Sequence, residues 1–241
     1  MPRGAALVTG GSRRIGRTLV KAAAQAGFDV AIHCRAVDDD AQAAAAEVRS
    51  LGRKASIHTA DLRREPETAP LVGEVESELG VVTLLVNCAS VFEDDSFAEM
   101  NRASWDAHLE TNLRAPLVLA QAFARRLPAD REGLIVNILD QRVLNPAPEF
   151  FSYSLSKSAL WDATRMLAQA LAPRIRVNGI GPGPVLQSVH QTEDEFAAEA
   201  AASLLARAVD PAEIGQALAY LIDARSVTGQ MIAVDAGQHL S

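Results

Sequence analysis

At 241 residues and 49% apolar content, the chain can bury a sizeable core, as one α/β domain or as two smaller ones. A net charge of −7 argues against a nucleic-acid partner, whose phosphates select for basic surfaces. Cys34 and Cys88 lie far apart and form no metal pattern, so they read as small buried residues in a reducing compartment. The first apolar run starts almost at the N-terminus, which leaves no room for a signal peptide, and no apolar run is long enough to cross a bilayer. The expectation is a cytoplasmic protein with no membrane and no nucleic-acid partner.

Residues 5–8 are apolar and lead into Thr9-Gly10-Gly11-Ser12-Arg13-Arg14-Ile15-Gly16, followed by an amphipathic segment over 19–26. That order predicts strand, glycine turn and helix. Gly10 and Gly11 let the backbone turn sharply and bring N–H groups close to an anion, and the helix N-terminus beyond them adds a favourable dipole. Residues 30–32 predict a second strand, and 38–51 an alanine-rich helix that Gly52 stops. The acidic run Asp38-Asp39-Asp40 suits the start of that helix. A third, weaker strand is expected over 55–58, then a helix over 66–79 ended by Gly80.

Residues 81–86 are apolar throughout, as a strand covered on both faces should be. A long helix is expected over 105–127, with a kink at Pro116. Residues 134–138 predict a fifth strand, 151–171 a helix ended by Pro173, and 175–178 a sixth strand. Residues 181–193 read as loop and 197–207 as helix. Asp210-Pro211-Ala212-Glu213 carries an N-cap, a proline at the first helical position and an acid in the first turn. Residues 231–234 predict the last strand. The alternation predicts a Rossmann-like, doubly wound parallel sheet of about seven strands with helices on both faces, in one domain over 1–241. A substrate loop is expected around 183–208.

Tyr153 and Lys157 are four apart on a predicted helix, so both side chains face the same way. A phenol titrates near 10, too high to carry protons at neutral pH. A cation about 4 Å away contributes roughly 4 kcal/mol at an effective dielectric of 20, enough to bring the phenol near neutrality. His33, His58, His108, His190 and His239 have no metal-ligand spacing. Trp105 and Trp161 read as packing or subunit contacts.

Taken together, the motifs resemble the short-chain dehydrogenase/reductase family over nearly the full chain. The family's T-G-x-x-x-G-x-G turn is matched at Thr9–Gly16, except that Arg14 stands where the second of its spaced glycines belongs. Asp61-Leu62 matches the acid after the third strand, and Asn87-Cys88-Ala89-Ser90 the N-N-A-G after the fourth. Asn112, Tyr153 with Lys157, and Pro182-Gly183 follow in the family's order. The resemblance implies that the turn around Gly10, Ser12 and Ile15 holds cofactor phosphates. Asp61 and Leu62 would meet the adenine, and Asn87 and Ala89 would line the cofactor cleft. Val185, beyond Pro182 and Gly183, would contact the nicotinamide amide. Tyr153 would donate the proton, Lys157 would hold the ribose and tune Tyr153, and Asn112 would hold a water that continues the proton path.

The family's catalytic serine is replaced by Asp140. This change, Arg14 and the sequence Ser90-Val91-Phe92 resemble the pteridine reductase and dihydromonapterin reductase branch. That resemblance implies that Phe92 stacks on a pterin, that Ser90 and Arg14 hydrogen-bond around it, and that Asp140 works with Tyr153. An ionised Asp140 would also raise the Tyr153 pKa against the pull of Lys157. The expected cofactor is NADPH. No acid ends the second strand, where His33-Cys34-Arg35 stands, and Arg35 and Arg13 can pair with the 2′-phosphate. A homotetramer is expected from the family alone. Two other readings fit the same motifs: a carbonyl reductase of this family, and an NADPH-binding sensor without turnover. The intact Tyr153, Lys157 and Asn112 argue against the sensor.

Overall fold

A computed structural model describes residues 3–241. Seven parallel strands form one sheet in the order β3-β2-β1-β4-β5-β6-β7. They are β1 (Ala5–Val8), β2 (Asp29–Cys34), β3 (Ala55–Thr59), β4 (Val82–Asn87), β5 (Gly133–Ile138), β6 (Ile175–Pro182) and β7 (Met231–Val234). The order reverses between β1 and β4, and a crevice opens there beyond the C-terminal strand ends.

Alternate residues of each strand feed two cores. Val8, Val30, Ile32, Leu84, Val86 and Val136 pack on one face. There they meet α1 (Arg14–Gln25), α2 (Asp39–Ser50) and α9 (Pro211–Asp223) through Leu19, Val48 and Leu218. Leu7, Ala31, Leu85, Ile135 and Val177 pack on the other. There they meet α4 (Leu71–Leu79), α6 (Ala115–Arg126) and α7 (Phe151–Leu171) through Val75, Phe123 and Ala168. Strands buried on both faces explain the unbroken apolar runs.

Four segments differ from the sequence expectation. The helix expected over 66–79 is two helices, α3 (Glu65–Thr68) and α4, because Pro70 has no N–H to continue the ladder. The long helix begins earlier, as α5 (Arg102–Leu109), where the Asn101 side chain accepts from Ala103 and Ser104 N–H. Between α5 and α6, residues Glu110–Arg114 form a π turn, so the irregularity lies just before Pro116. Strand β6 runs on to Pro182, through residues expected as loop. Finally, α8 spans Glu193–Ala202 rather than 197–207, because Thr192 and Glu195 form a capping box.

Candidate active site

The strand ends line one cleft of about 1020 Å³. Gly10, Ser12, Arg13, Arg14, Ile15, Arg35, Asp61, Leu62, Ala89, Ser90, Phe92, Asp140, Tyr153, Lys157, Pro182, Gly183 and Val185 all reach it. Two expected residues do not line it. Asn87 is 3% exposed, and its amide donates to the Asn137 Oδ1 at 2.8 Å, inside the sheet. Asn112 is also buried. Its Oδ1 accepts from Val91 N–H at 2.8 Å and from the Ser90 hydroxyl at 3.2 Å. Its Nδ2 donates to the Val91 carbonyl at 2.9 Å and to Ser156 Oγ at 3.0 Å. All four amide sites are filled, so the side chain is not available to hold a water.

At the phosphate end, α1 has neither a side-chain N-cap nor an acid in its first turn, whereas α2, α5, α8 and α9 are side-chain capped. Its first N–H groups are left for an anion. A Cβ on Gly16 would sit 2.0 Å from the Gly10 carbonyl oxygen. One on Gly10 would sit 2.9 Å from Ala89 Cα. The turn therefore closes only with glycine at both positions. His33 supports it from below. Gly10 N–H donates to Nδ1 at 3.2 Å and Nε2 bonds the Ala60 carbonyl at 3.1 Å, placing the proton on Nε2. Burial pushes the His33 pKa down, which keeps it in that acceptor form.

Arg14 and Arg13 are engaged by protein partners, and Arg35, among the described residues, is not. Arg14 holds φ of +51°, a left-handed value that explains the family's glycine here. Its guanidinium donates to the carbonyls of Leu186 (3.1 Å) and Gln187 (2.9 Å), tying the phosphate turn to the segment before α8. Arg13 pairs with Asp38 at 2.5 Å and Asp40 at 3.8 Å. Arg35 is exposed and has no ion pair among the described residues. Beyond β3, Arg63 grips the Asp61 carboxylate, chiefly through hydrogen bonds, and holds its pKa at about 2. These residues fit a dinucleotide with a 2′-phosphate. The free amides of α1 and the glycine turn would take the pyrophosphate, and Arg35 the extra phosphate.

At the other end Tyr153 and Asp140 are buried together. The phenol donates to Asp140 Oδ2 at 2.7 Å, and Arg142 N–H to Oδ1 at 2.9 Å. Burial raises the Asp140 pKa. Burial, and next the Asp140 charge, raise that of Tyr153 well above 10. Lys157 donates to the Ile138 carbonyl at 2.8 Å, and burial lowers its pKa to about 8. The drop in phenol pKa expected from the Tyr153–Lys157 spacing is therefore reversed in the free chain. Desolvation and the nearer carboxylate outweigh the lysine.

Phe92 stands with its ring edge-on to Tyr153, the centroids 4.7 Å apart at 77°. One face of its ring is stacked on Phe150 at 4.3 Å and 14°. Arg142 lies over Phe150 at 5.3 Å, and His190 Nε2 bonds the Phe92 carbonyl at 3.0 Å. Phe150, Arg142 and His190 were not expected from sequence. Phe150 adopts φ of +52° just outside α7, so no helical spacing reveals it.

The short chain dehydrogenase family model matches residues 4–198. The chain belongs to that family. Among solved structures, FolM alternative dihydrofolate reductase 1 from Brucella canis, complexed with NADP, is 47% identical. It superposes with a TM-score of 0.95 over 99% of this chain and 94% of its own. A blue fluorescent protein from a metagenomic library, in complex with NADPH, is 31% identical, with a TM-score of 0.92 over 98% of each chain. The 3-oxoacyl-[acyl-carrier-protein] reductase FabG of Staphylococcus epidermidis is 28% identical over 240 residues, 98% of each chain.

Proposed function

We propose that this oxidoreductase reduces a dihydropterin with NADPH. The observation that carries the reading is the Asp140 carboxylate, 2.7 Å from the Tyr153 hydroxyl at the family's serine position. Ketone reduction develops negative charge on oxygen, which needs donors. A carboxylate offers acceptors and repulsion instead. A pterin reverses the requirement, since its amino and ring N–H groups are donors that Asp140 accepts. When bound, NADPH supplies the hydride. A proton must then reach the ring nitrogen, and the Asp140–Tyr153 pair, joined by its 2.7 Å hydrogen bond, supplies it and is reprotonated from solvent. Phe92 gives the bicyclic ring an apolar face, and Lys157 holds the ribose. Arg14, bonded to Leu186 and Gln187, steadies the segment that covers the site.

The FolM neighbours in complex with NADP support both the cofactor and the substrate class. The FabG relatives favour a second reading, a 3-oxoacyl or other carbonyl reductase. NADPH oxidation with dihydropterins, set beside 3-oxoacyl thioesters and simple ketones, separates the two. Turnover of dihydropterins above all carbonyls is the expected result. Efficient carbonyl reduction with dihydropterins inert overturns the pterin assignment.

A further inference from the structure

Ser104, His108 and Asn112 follow one another at intervals of four, through α5 into the π turn, on one helical face. The stretch 91–95 lies along that face in the opposite direction. Asn112 pairs with both main-chain groups of Val91. His108 Nε2 accepts Glu93 N–H at 3.2 Å, while its Nδ1 bonds the Ser104 carbonyl at 2.9 Å, which places the proton on Nδ1. The Ser104 hydroxyl donates to the Asp95 carboxylate. Helix residues spaced by four thus meet chain residues spaced by two. The lengths agree, since four helical residues rise about 6 Å and two extended residues about 6.6 Å.

Phe92 falls between two of these contacts. Its carbonyl bonds His190 instead, and its ring meets Tyr153. Asp95 carries the register across to the catalytic helix. Its Oδ1 accepts Ser152 N–H at 2.8 Å and its carbonyl accepts Phe151 N–H at 3.0 Å. This caps α7, whose own N-cap position, Phe150, has no side-chain acceptor to offer. A stretch without a sheet partner has little else to fix its register, and a slip of one residue turns alternate side chains to the other side.

We propose that the face of Ser104, His108 and Asn112 is a ruler that sets Phe92 against Tyr153, with His108 and Asp95 as positioning residues for the substrate. That Phe92 meets a pterin rests on the reading above; the ruler itself does not.

The test compares His108→Leu, which fills the space without an acceptor, with His108→Gln, whose amide oxygen can take Glu93 N–H. Ser104→Ala, a milder cut that frees only Asp95, covers the case in which His108→Leu does not fold. The readouts are kcat and KM for whichever substrate the wild type reduces best, NADPH affinity by fluorescence, and hydrogen exchange over peptides spanning 91–95. His108→Leu should lose up to about tenfold in kcat/KM, mostly through KM, the upper end for one lost hydrogen bond. NADPH affinity should stay within about twofold on the same scale, with faster exchange at 91–95. His108→Gln should recover most of the loss, and Ser104→Ala should show the same pattern at lower amplitude. Unchanged kcat/KM and exchange in folded His108→Leu, or in Ser104→Ala where that variant stands in, overturns the ruler, as does a His108→Gln no better than His108→Leu. If the wild type reduces ketones only, the pterin reading fails, and the ruler is still decided on the ketone.

Discussion

Tyr153 donates its phenolic hydrogen to the Asp140 carboxylate at 2.7 Å, so the hydroxyl that the Y-x-x-x-K spacing assigns to a cation is bonded to an anion instead. Lys157 is thereby left to the backbone carbonyl of Ile138. The three groups share one buried volume and move one another's titrations in opposite directions.

The first consequence is a pH dependence of cofactor binding. Burial lowers the Lys157 pKa to about 8, so the ammonium is charged below that value and neutral above it. If the charged form holds the ribose, NADPH affinity should be flat below pH 8. Above it, affinity should fall toward a limit of about tenfold per unit, since each unit removes nine-tenths of the charged form. Fluorescence titration from pH 6.5 to 9.5 reads this directly. Constant affinity to the alkaline end rules out the lysine as the titrating contact.

Cofactor choice should depend on Arg35. It is exposed beyond β2 with no ion pair among the described residues, whereas Arg13 is engaged by Asp38 and Asp40. A charge-assisted phosphate contact is worth about 1.5–3 kcal/mol, or roughly 10–150-fold. Arg35→Ala should therefore raise the KM for NADPH by at least about tenfold and leave that for NADH nearly unchanged. Equal losses with the two cofactors would assign the 2′-phosphate to other residues.

Much of this arrangement is legible in the sequence because it rests on local chemistry. Apolar runs mark the strands, Gly10 and Gly16 mark the phosphate turn, and the spacing of Tyr153 and Lys157 marks one face of α7. The less legible features depend on partners distant in the chain. Asn87 and Asn112 match family motifs, but Val91 and Ser156 take up the Asn112 amide and Asn137 the Asn87 Nδ2, inside the core. The titration of Tyr153 is raised first by burial and then by a carboxylate thirteen residues away on another element. Phe150 reaches Phe92 only because the chain turns left-handed before α7. The stripe Ser104, His108 and Asn112 does have a sequence signal, polar residues four apart in an otherwise amphipathic helix.

Arg14→Gly should separate strain from contact. Glycine removes the left-handed cost of about 1–2 kcal/mol at φ of +51°. It also removes two exposed hydrogen bonds, to the carbonyls of Leu186 and Gln187, worth about 0.5–1.5 kcal/mol each. The melting temperature should consequently shift little, while the segment before α8 becomes more sensitive to protease and the substrate KM rises. A large loss of melting temperature with normal kinetics would mean that Arg14 serves the fold and not the cleft.

The decisive substitution is Asp140→Ser, which restores the family residue at the Tyr153 hydroxyl. Burial raises the Asp140 pKa, so its titration lies above the usual carboxylate value of about 3.9. The sign follows from which form is used. If the carboxylate accepts pterin N–H groups, dihydropterin turnover falls as pH drops through the raised Asp140 pKa and is fully present above it. A serine has no such titration, so the acid limb should disappear in Asp140→Ser along with most of the pterin rate. A positioned acid–base group is worth about 10²–10⁴-fold, which sets the size of loss to expect. Ketone reduction should move the other way, because the serine hydroxyl donates to a developing alkoxide that the carboxylate repels. Removing the Asp140 charge should also lower the Tyr153 pKa, since that charge is the second cause of its elevation after burial. The measurement is kcat/KM against pH for one dihydropterin and one ketone, in wild type and Asp140→Ser. Retention of both the pterin rate and its acid limb in Asp140→Ser would remove Asp140 from the chemistry, and with it the argument for a nitrogen heterocycle as substrate.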